Sequence, residues 1–411
     1  MNYLFPIDIF NEIFLFCDFL TKIRFRQINK FIYNYLHIID FYHIEQKYLS
    51  KLTDNILKNY KFIRYLNAQN NLNIKDVSLM KHLIELDASY NAGIDQLGIK
   101  ELDLIKLIAC NNPNINDVNW MKNLKELNAS GKSGIDQMGI KGLDLIKLDT
   151  WNNPKIKDVS FMTNLKELDA SFGSGIDQMG INGLDLIKLD VRYNEKIKDV
   201  SWMKNLKELN ASGTCGIDQV GIQGLNLIKL NTANNSKIKD ISWMKNLKEL
   251  DAQLDSGIDQ LGIIGLDLIK LNAYNNSKIK DISWMKNLKE LDAHWDSGID
   301  QLGIIGLDLI KLNAYNNSKI KNVSWMNNLK ELDASWNSGI DQVGINGLDL
   351  IKLNVANNSK IKDVSWINNL KELDASYNSG IDRTGIKGLD LIKLDAFGNS
   401  GIDQLGIQGL D

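Results

Sequence analysis

The segment "LIKLNAYNNSKIKNVSWMNNLKELDASWNSGIDQVGINGLD", residues 309–349, is one copy of a line that the chain repeats. Its marker "LDLIKL" begins at Leu102, Leu143, Leu184, Leu266, Leu307, Leu348 and Leu389, with "LNLIKL" at Leu225, so the steps are all multiples of 41 residues. Each copy divides into halves of 20 and 21 residues, opening here at Leu309 and Leu329. Both halves keep the frame L-x-x-L-x-A-x-x-N, followed by an isoleucine two or three residues on. Counting from Ile63 there are nine halves of the first type and eight of the second, and the ninth drifts into second-type sequence.

A fixed period of this length marks a stacked-repeat architecture. Leucines at positions one and four, with a small residue at six, alternate in and out over a short strand. Each coil then adds one strand to a parallel sheet and buries its apolar edge only against its neighbours. Position six is small throughout, as at Ala314, Ala334, Thr150 and Val355. Together with the short repeat, this leaves no room for a full convex helix. Short turns are expected there, carrying the column Trp120, Phe161, Trp202, Trp243, Trp284, Trp325 and Trp366 as packing between coils. The column recurs every second strand, roughly 9.6 Å apart at ~4.8 Å per strand.

Position nine is asparagine in all nine first-type halves, Asn71, Asn194 and Asn317 among them. Its side chain is expected to satisfy loop backbone groups that would otherwise cost roughly 1–3 kcal/mol each. Position three is Lys in first-type halves from Lys106 onward and Glu in second-type halves, so neighbouring strands present opposite charges. Such pairs contribute roughly 0.2–1 kcal/mol and discourage slipped pairing.

Positions seven and eight are where identity is lost. They carry Trp151, Arg192, Tyr193, Tyr274, His294, Trp295, Tyr315, Trp336 and Phe397, with Tyr90, Phe172 and Tyr377 besides. Exposed aromatics and an arginine on a rigid concave sheet are the material of protein-binding hot spots. These nine residues are the expected target-binding face.

The repeat frame resembles the leucine-rich repeat, and the tail "IKDISWMKNL" is similar to the short, helix-poor class of that family. The resemblance covers residues 63–411. It implies an α/β solenoid of seventeen half-repeats with a parallel sheet and little convex helix.

Residues 4–36, "LFPIDIFNEIFLFCDFLTKIRFRQINKFIYNYL", stand outside the repeat. They read as helical, with Ile9, Ile13 and Phe16 on one stripe, Phe25, Ile28 and Phe31 on another, and Thr21 as a cap. Phe5, Pro6, Asp8, Ile9 and Ile13, then Ile28, Asn29, Lys30 and Phe31, resemble the opening and closing steps of the F-box, although Phe5 and Asn29 depart from its usual residues. The resemblance implies docking on the Skp-type adaptor of an SCF ubiquitin ligase through Phe5, Pro6, Asp8, Ile9, Ile13, Ile28 and Lys30. The repeats would then hold the target protein. The alternative reading of this segment is a helical cap over the first coil. The domain boundaries expected are 1–45 for the F-box-like domain, 46–62 for a helical connector or cap, and 63–411 for the solenoid. The richness in Asn, Ile and Lys resembles F-box proteins carried by giant DNA viruses of amoebae.

The 411 residues carry a formal net charge of −3, with 44% hydrophobic and 24% charged residues, which suits a folded chain with no whole-chain basic bias toward nucleic acid. Three cysteines form no spaced framework, and no apolar run reaches membrane-spanning length. A cytoplasmic location follows as the expectation, in the host cytoplasm if the chain is viral. The four histidines, His37, His43, His82 and His294, are scattered, with no cysteine pair at zinc spacing. No Ser-His-Asp or Cys-His arrangement can be argued, so no enzyme, metal or cofactor is expected. A ligase receptor is the leading reading, and a non-catalytic binding scaffold with no ubiquitin link the alternative. A secreted, internalin-like adhesin is disfavoured. The last coil, ending in "GIQGLD", is expected to be frayed, partner-covered or self-associating.

Overall fold

The computed structural model describes residues 12–14, 16–28 and 30–402, and divides into two compact units, Met1–Leu189 and Asp190–Asp411. Phe5, Pro6, Asp8, Ile9 and Asn29 of the F-box reading lie outside the described residues, as does the end of the last coil from residue 403.

The first unit opens with helix α1 (Phe19–Arg26) and helix α2 (Lys30–Tyr35). Thr21 does not cap α1. Asp18 does, its Oδ1 accepting the Thr21 N–H at 2.9 Å and its Oδ2 the Thr21 hydroxyl at 2.7 Å. The stripes read from the sequence did not decide which face turns inward. Phe14, Ile32 and Leu36 are buried, whereas Ile13, Phe16 and Ile28 are exposed, Phe16 at 89%. A two-residue strand that the sequence did not suggest, β1 (Asp40–Phe41), follows and pairs in parallel with β2 (Tyr65–Asn67). Between them lie single-turn helices α3 (Gln46–Leu49) and α4 (Asp54–Leu57), with Leu49, Leu52 and Leu57 buried beneath the first coil.

From β2 the unit adds one three-residue parallel strand per half-repeat: β3 (Glu85–Asp87), β4 (Lys106–Ile108), β5 (Glu126–Asn128), β6 (Lys147–Asp149) and β7 (Glu167–Asp169). Strand β8 (Lys188–Asp190) lies at the division between units. The second unit runs from β9 (Glu208–Asn210) through β10 (Lys229–Asn231), β11 (Glu249–Asp251), β12 (Lys270–Asn272), β13 (Glu290–Asp292), β14 (Lys311–Asn313), β15 (Glu331–Asp333), β16 (Lys352–Asn354) and β17 (Glu372–Asp374) to β18 (Lys393–Asp395). Its successive strands are likewise parallel and in register, so that Lys311, Leu312 and Asn313 face Glu331, Leu332 and Asp333. Each unit is a parallel-sheet solenoid.

One copy shows why the coil closes. Leu309, Leu312, Ala314, Ile320, Val323 and Met326 are 0–1% exposed, as the frame requires. Each fully buried aliphatic side chain contributes roughly 1.5–3 kcal/mol, so a coil gains its stability only when neighbours cover both sides. The convex side carries turns and, in second-type halves, single 3₁₀ turns such as Val343–Ile345. Where coils touch there, only glycine fits. A Cβ on Gly339 would stand 2.4 Å from the Ile320 carbonyl oxygen.

The asparagine ladder is present and its bonds are visible. Asn317 donates from Nδ2 to the Ala293 and Ile299 carbonyls of the preceding coil at 2.7 and 3.1 Å, and its Oδ1 accepts the Lys319 N–H at 3.0 Å. Asn112, Asn153, Asn235, Asn276 and Asn358 repeat the pattern, while Asn71 donates to Leu49 and Leu52 and so ties the first coil to α3. The ninth copy breaks it: Asn399 is exposed and donates at 3.4 Å to the side chain of Asn378.

Two further columns join the coils. Trp120, Trp243, Trp284 and Trp325 are half-buried packing, each donating from Nε1 to a leucine carbonyl of the preceding coil, as Trp325 does to Leu307 at 3.1 Å. The glutamines of "GIDQ" were unread in the sequence. Gln342 donates to the Asp363 carbonyl at 2.8 Å and accepts the Lys362 and Asp363 N–H groups at 2.9 Å.

Candidate functional site

The strand ends decide what positions seven and eight can do. Position five is Asp or Asn in every half but the one carrying Ile108, because its Oδ1 accepts the N–H of position seven, closing the strand, as Asn313 does for Tyr315 at 3.1 Å. The chain then leaves the strand through position eight in the left-handed region. In four first-type halves of the second unit that residue is asparagine, Asn234, Asn275, Asn316 and Asn357, which tolerates such a φ, while Tyr193 and Gly398 hold the same place in the other two. In six of the eight second-type halves bulky residues occupy the same backbone, Tyr90, Phe172, Leu254, Trp295, Trp336 and Tyr377, at φ between 52° and 59°, and Gly131 and Gly213 take the other two. A bulky L-residue there costs about 1–2 kcal/mol. The rings at these positions are left about half in solvent.

In the second unit these rings meet. Tyr274 and His294 stack with centroids 4.0 Å apart and planes 3° from parallel. His294 meets Tyr315 edge-on at 5.9 Å, Trp295 lies 6.0 Å from Tyr315, and Tyr315 lies 6.1 Å from Trp336. Trp336 then reaches Tyr377 at 6.3 Å, two strands on, over Ala356, which they leave only 4% exposed. Tyr377 touches Phe397 at 5.9 Å. Six of the nine residues expected to bind a target thus belong to one run, and Tyr377 completes it. His294 is anchored by a hydrogen bond from its Nδ1 to Asp292.

The other three stand apart from this run. Trp151 belongs to the first unit, where its ring meets Phe172 at 5.7 Å. Arg192 lies at the start of the second unit and pairs with Asp190 at 3.1 Å, beside Tyr193 in the left-handed region.

The charges are divided by position. At position three Lys and Glu neutralise one another, as in Lys270–Glu290 and Lys311–Glu331 at 2.9 Å and Lys352–Glu372 at 3.1 Å. At positions five to nine between Asn272 and Asn399 the sequence holds Asp292, Asp296, Asp333, Asp374 and Asp395 and no Lys or Arg. The aromatic run is therefore bordered by negative charge. Burial raises the Asp333 carboxyl above its ordinary range, against hydrogen bonds from Ser335 and Asn354.

In the front segment, Ile13, Ile28 and Lys30 are all at the surface. Among the described residues no cluster of His, Cys, Asp and Glu is arranged to hold a metal ion, and no helix is long and apolar enough to cross a membrane.

No family model matches the chain, and no curated protein matches it by sequence. Solved structures similar to it include the TLR13–ssRNA13 complex, at 17% identity and TM-score 0.45, covering 84% of this chain and 62% of that one. An internalin, InlF, of Listeria monocytogenes matches at 16% identity and TM-score 0.34 over 77% and 82% of the two chains. The yeast Rad7 and Elc1 complex matches at 16% identity and TM-score 0.34 over 84% and 86%. The chain spans about three fifths of the length of the first of these.

Proposed function

We propose that the chain is a non-catalytic, protein-binding leucine-rich-repeat solenoid serving as the substrate-recognition subunit of an SCF-type ubiquitin ligase. The observation that carries the binding role is the run from Tyr274 to Phe397, in which Trp295, Trp336 and Tyr377 stay 42–48% exposed on left-handed backbone that disfavours them. The bordering carboxylates suit a target segment rich in Arg or Lys, whose cations stack on ring faces while their charge is met by Asp296 and Asp374. The same carboxylates repel phosphate, which speaks against nucleic acid.

The adaptor role rests on the F-box resemblance and on the exposure of Ile13, Ile28 and Lys30, since an exposed apolar group of this kind is a docking surface. In this reading residues 1–45 dock the adaptor, residues 46–62 cap the solenoid, and no cofactor is used.

Two measurements test the two roles separately. In a pull-down with a purified Skp-type adaptor, the full chain is expected to bind and an Ile13→Asp, Ile28→Asp variant to fail. Binding by neither would leave a scaffold with no ubiquitin link. For the target face, fluorescence titration with a nona-arginine peptide should show saturable quenching of Trp295 and Trp336. Trp295→Asn with Trp336→Asn, which keeps a residue suited to that backbone, should weaken binding at least ten-fold. Asp296→Asn with Asp374→Asn should weaken it and flatten its salt dependence. Equal binding by all three proteins would sink the assignment of this face.

A further inference from the structure

A second site lies in the first unit, away from the aromatic run. Arg26, in the last turn of α1, is only 7% exposed, yet no carboxylate pairs with it among the described residues. Its guanidinium lies over the Tyr33 ring at 4.4 Å and the Tyr60 ring at 5.2 Å, and Nη2 donates to the Tyr33 carbonyl at 3.3 Å. Its Nε–H is buried with no acceptor. A buried cation in this state is costly, because ring faces and one neutral carbonyl replace only part of its lost hydration.

Arg26 forms one wall of a depression lined also by His37, Lys58 and Lys61, with Asn34 and Asn59 as neutral donors. No Asp or Glu lines it among the described residues. Lys58 and Lys61 are exposed, and each carries its ammonium on a long four-carbon stem. His37 stacks on Phe62 with centroids 4.1 Å apart, and burial together with the nearby Arg26 charge holds its imidazole below the ordinary range. The depression thus gathers positive charge on a wall whose buried guanidinium leaves its Nε–H without an acceptor.

We propose that this depression binds a small oxyanion of the phosphate type, which accepts from Arg26 and is clasped by Lys58 and Lys61. The anion supplies the charge and the acceptor that the protein leaves out. Arginine at such a wall favours a planar or tetrahedral oxyanion over a halide, because its donors are set in a fixed fork.

The test uses the full chain and inorganic phosphate, at ionic strength held constant with chloride. His37 is the reporter, followed by NMR titration. A bound anion should move its titration midpoint to higher pH in a saturable manner, since the neighbouring cations are then neutralised. Lys58→Gln with Lys61→Gln, two surface changes that leave the coil packing intact, should weaken the effect at least ten-fold. A His37 curve that ignores phosphate, or moves equally in chloride alone, overturns the proposal, as does full retention of the effect in the double variant. A phosphoserine tetrapeptide in parallel separates the sources of the anion. Binding ten-fold tighter than phosphate assigns the site to a phosphorylated side chain, and equal binding assigns it to the free ion.

Discussion

Replacing Asn317 by Ala removes one rung of the ladder and leaves the rest of its coil untouched. The side chain makes three bonds, two to carbonyls of the coil before and one from Lys319 in its own. Asn317 is 1% exposed, so water cannot take its place without opening the coil. Each bond contributes about 1 kcal/mol net, and each buried group left without a partner costs about 1–3 kcal/mol. The loss therefore falls at about 3–5 kcal/mol, confined to the coils on either side. Because repeat arrays open locally, a single unfolding midpoint would blur this. Amide exchange resolved by peptide is the better assay, with lost protection expected over residues 290–330 and little change near residue 120. Asn317→Asp should be at least as damaging, since it keeps the acceptor for Lys319 but sets a carboxylate against two carbonyls. Asn316→Ala, next door at φ 52°, removes no rung and should cost only about 1 kcal/mol. Equal and small effects of Asn316→Ala and Asn317→Ala would refute the ladder as the device joining the coils.

Burial raises the Asp87 carboxyl, so the folded chain holds that proton more tightly than the unfolded one. The contribution to stability is full below pH about 4 and is lost as pH rises through the folded value. Asp87→Asn keeps the acceptor that Ser89 uses, as Asn128 does for Ser130, and should be more stable than the parent at pH 7 in urea titrations, with the gap closing near pH 3. Cys215, wholly buried with its thiol pushed up to about 11, should resist iodoacetamide in the native chain at pH 7.5 while the partly exposed Cys110 reacts. Mass spectrometry of the alkylated chain checks this, and labelling of Cys215 first would show that its coil opens readily.

The repeat made much of the solenoid legible in advance. The inward leucines, the alternating Lys and Glu and the asparagine ladder are properties of each copy, and copies recur often enough for the pattern to stand out. Six of the nine residues expected on the target face fall into one run, which the fold and not the repeat frame brings together. The glutamine bridges were missed because Gln342 serves the coil that follows, and nothing within its own copy marks that role. The front segment was less legible because its apolar residues are dense all round. Its stripes did not decide which face turns inward, and the fold buries Phe14 while Ile13 and Phe16 stay exposed.

What the sequence determined by itself is the period, the strand phase and the inward face, since these are local and written seventeen times. What only the tertiary structure decided is the path of the chain between copies: the left-handed exit at position eight, the reach of Trp336 across Ala356 to Tyr377, and the loss of Asn399 from the ladder. Contacts between coils depend on how successive backbones stack, and no single copy carries that information.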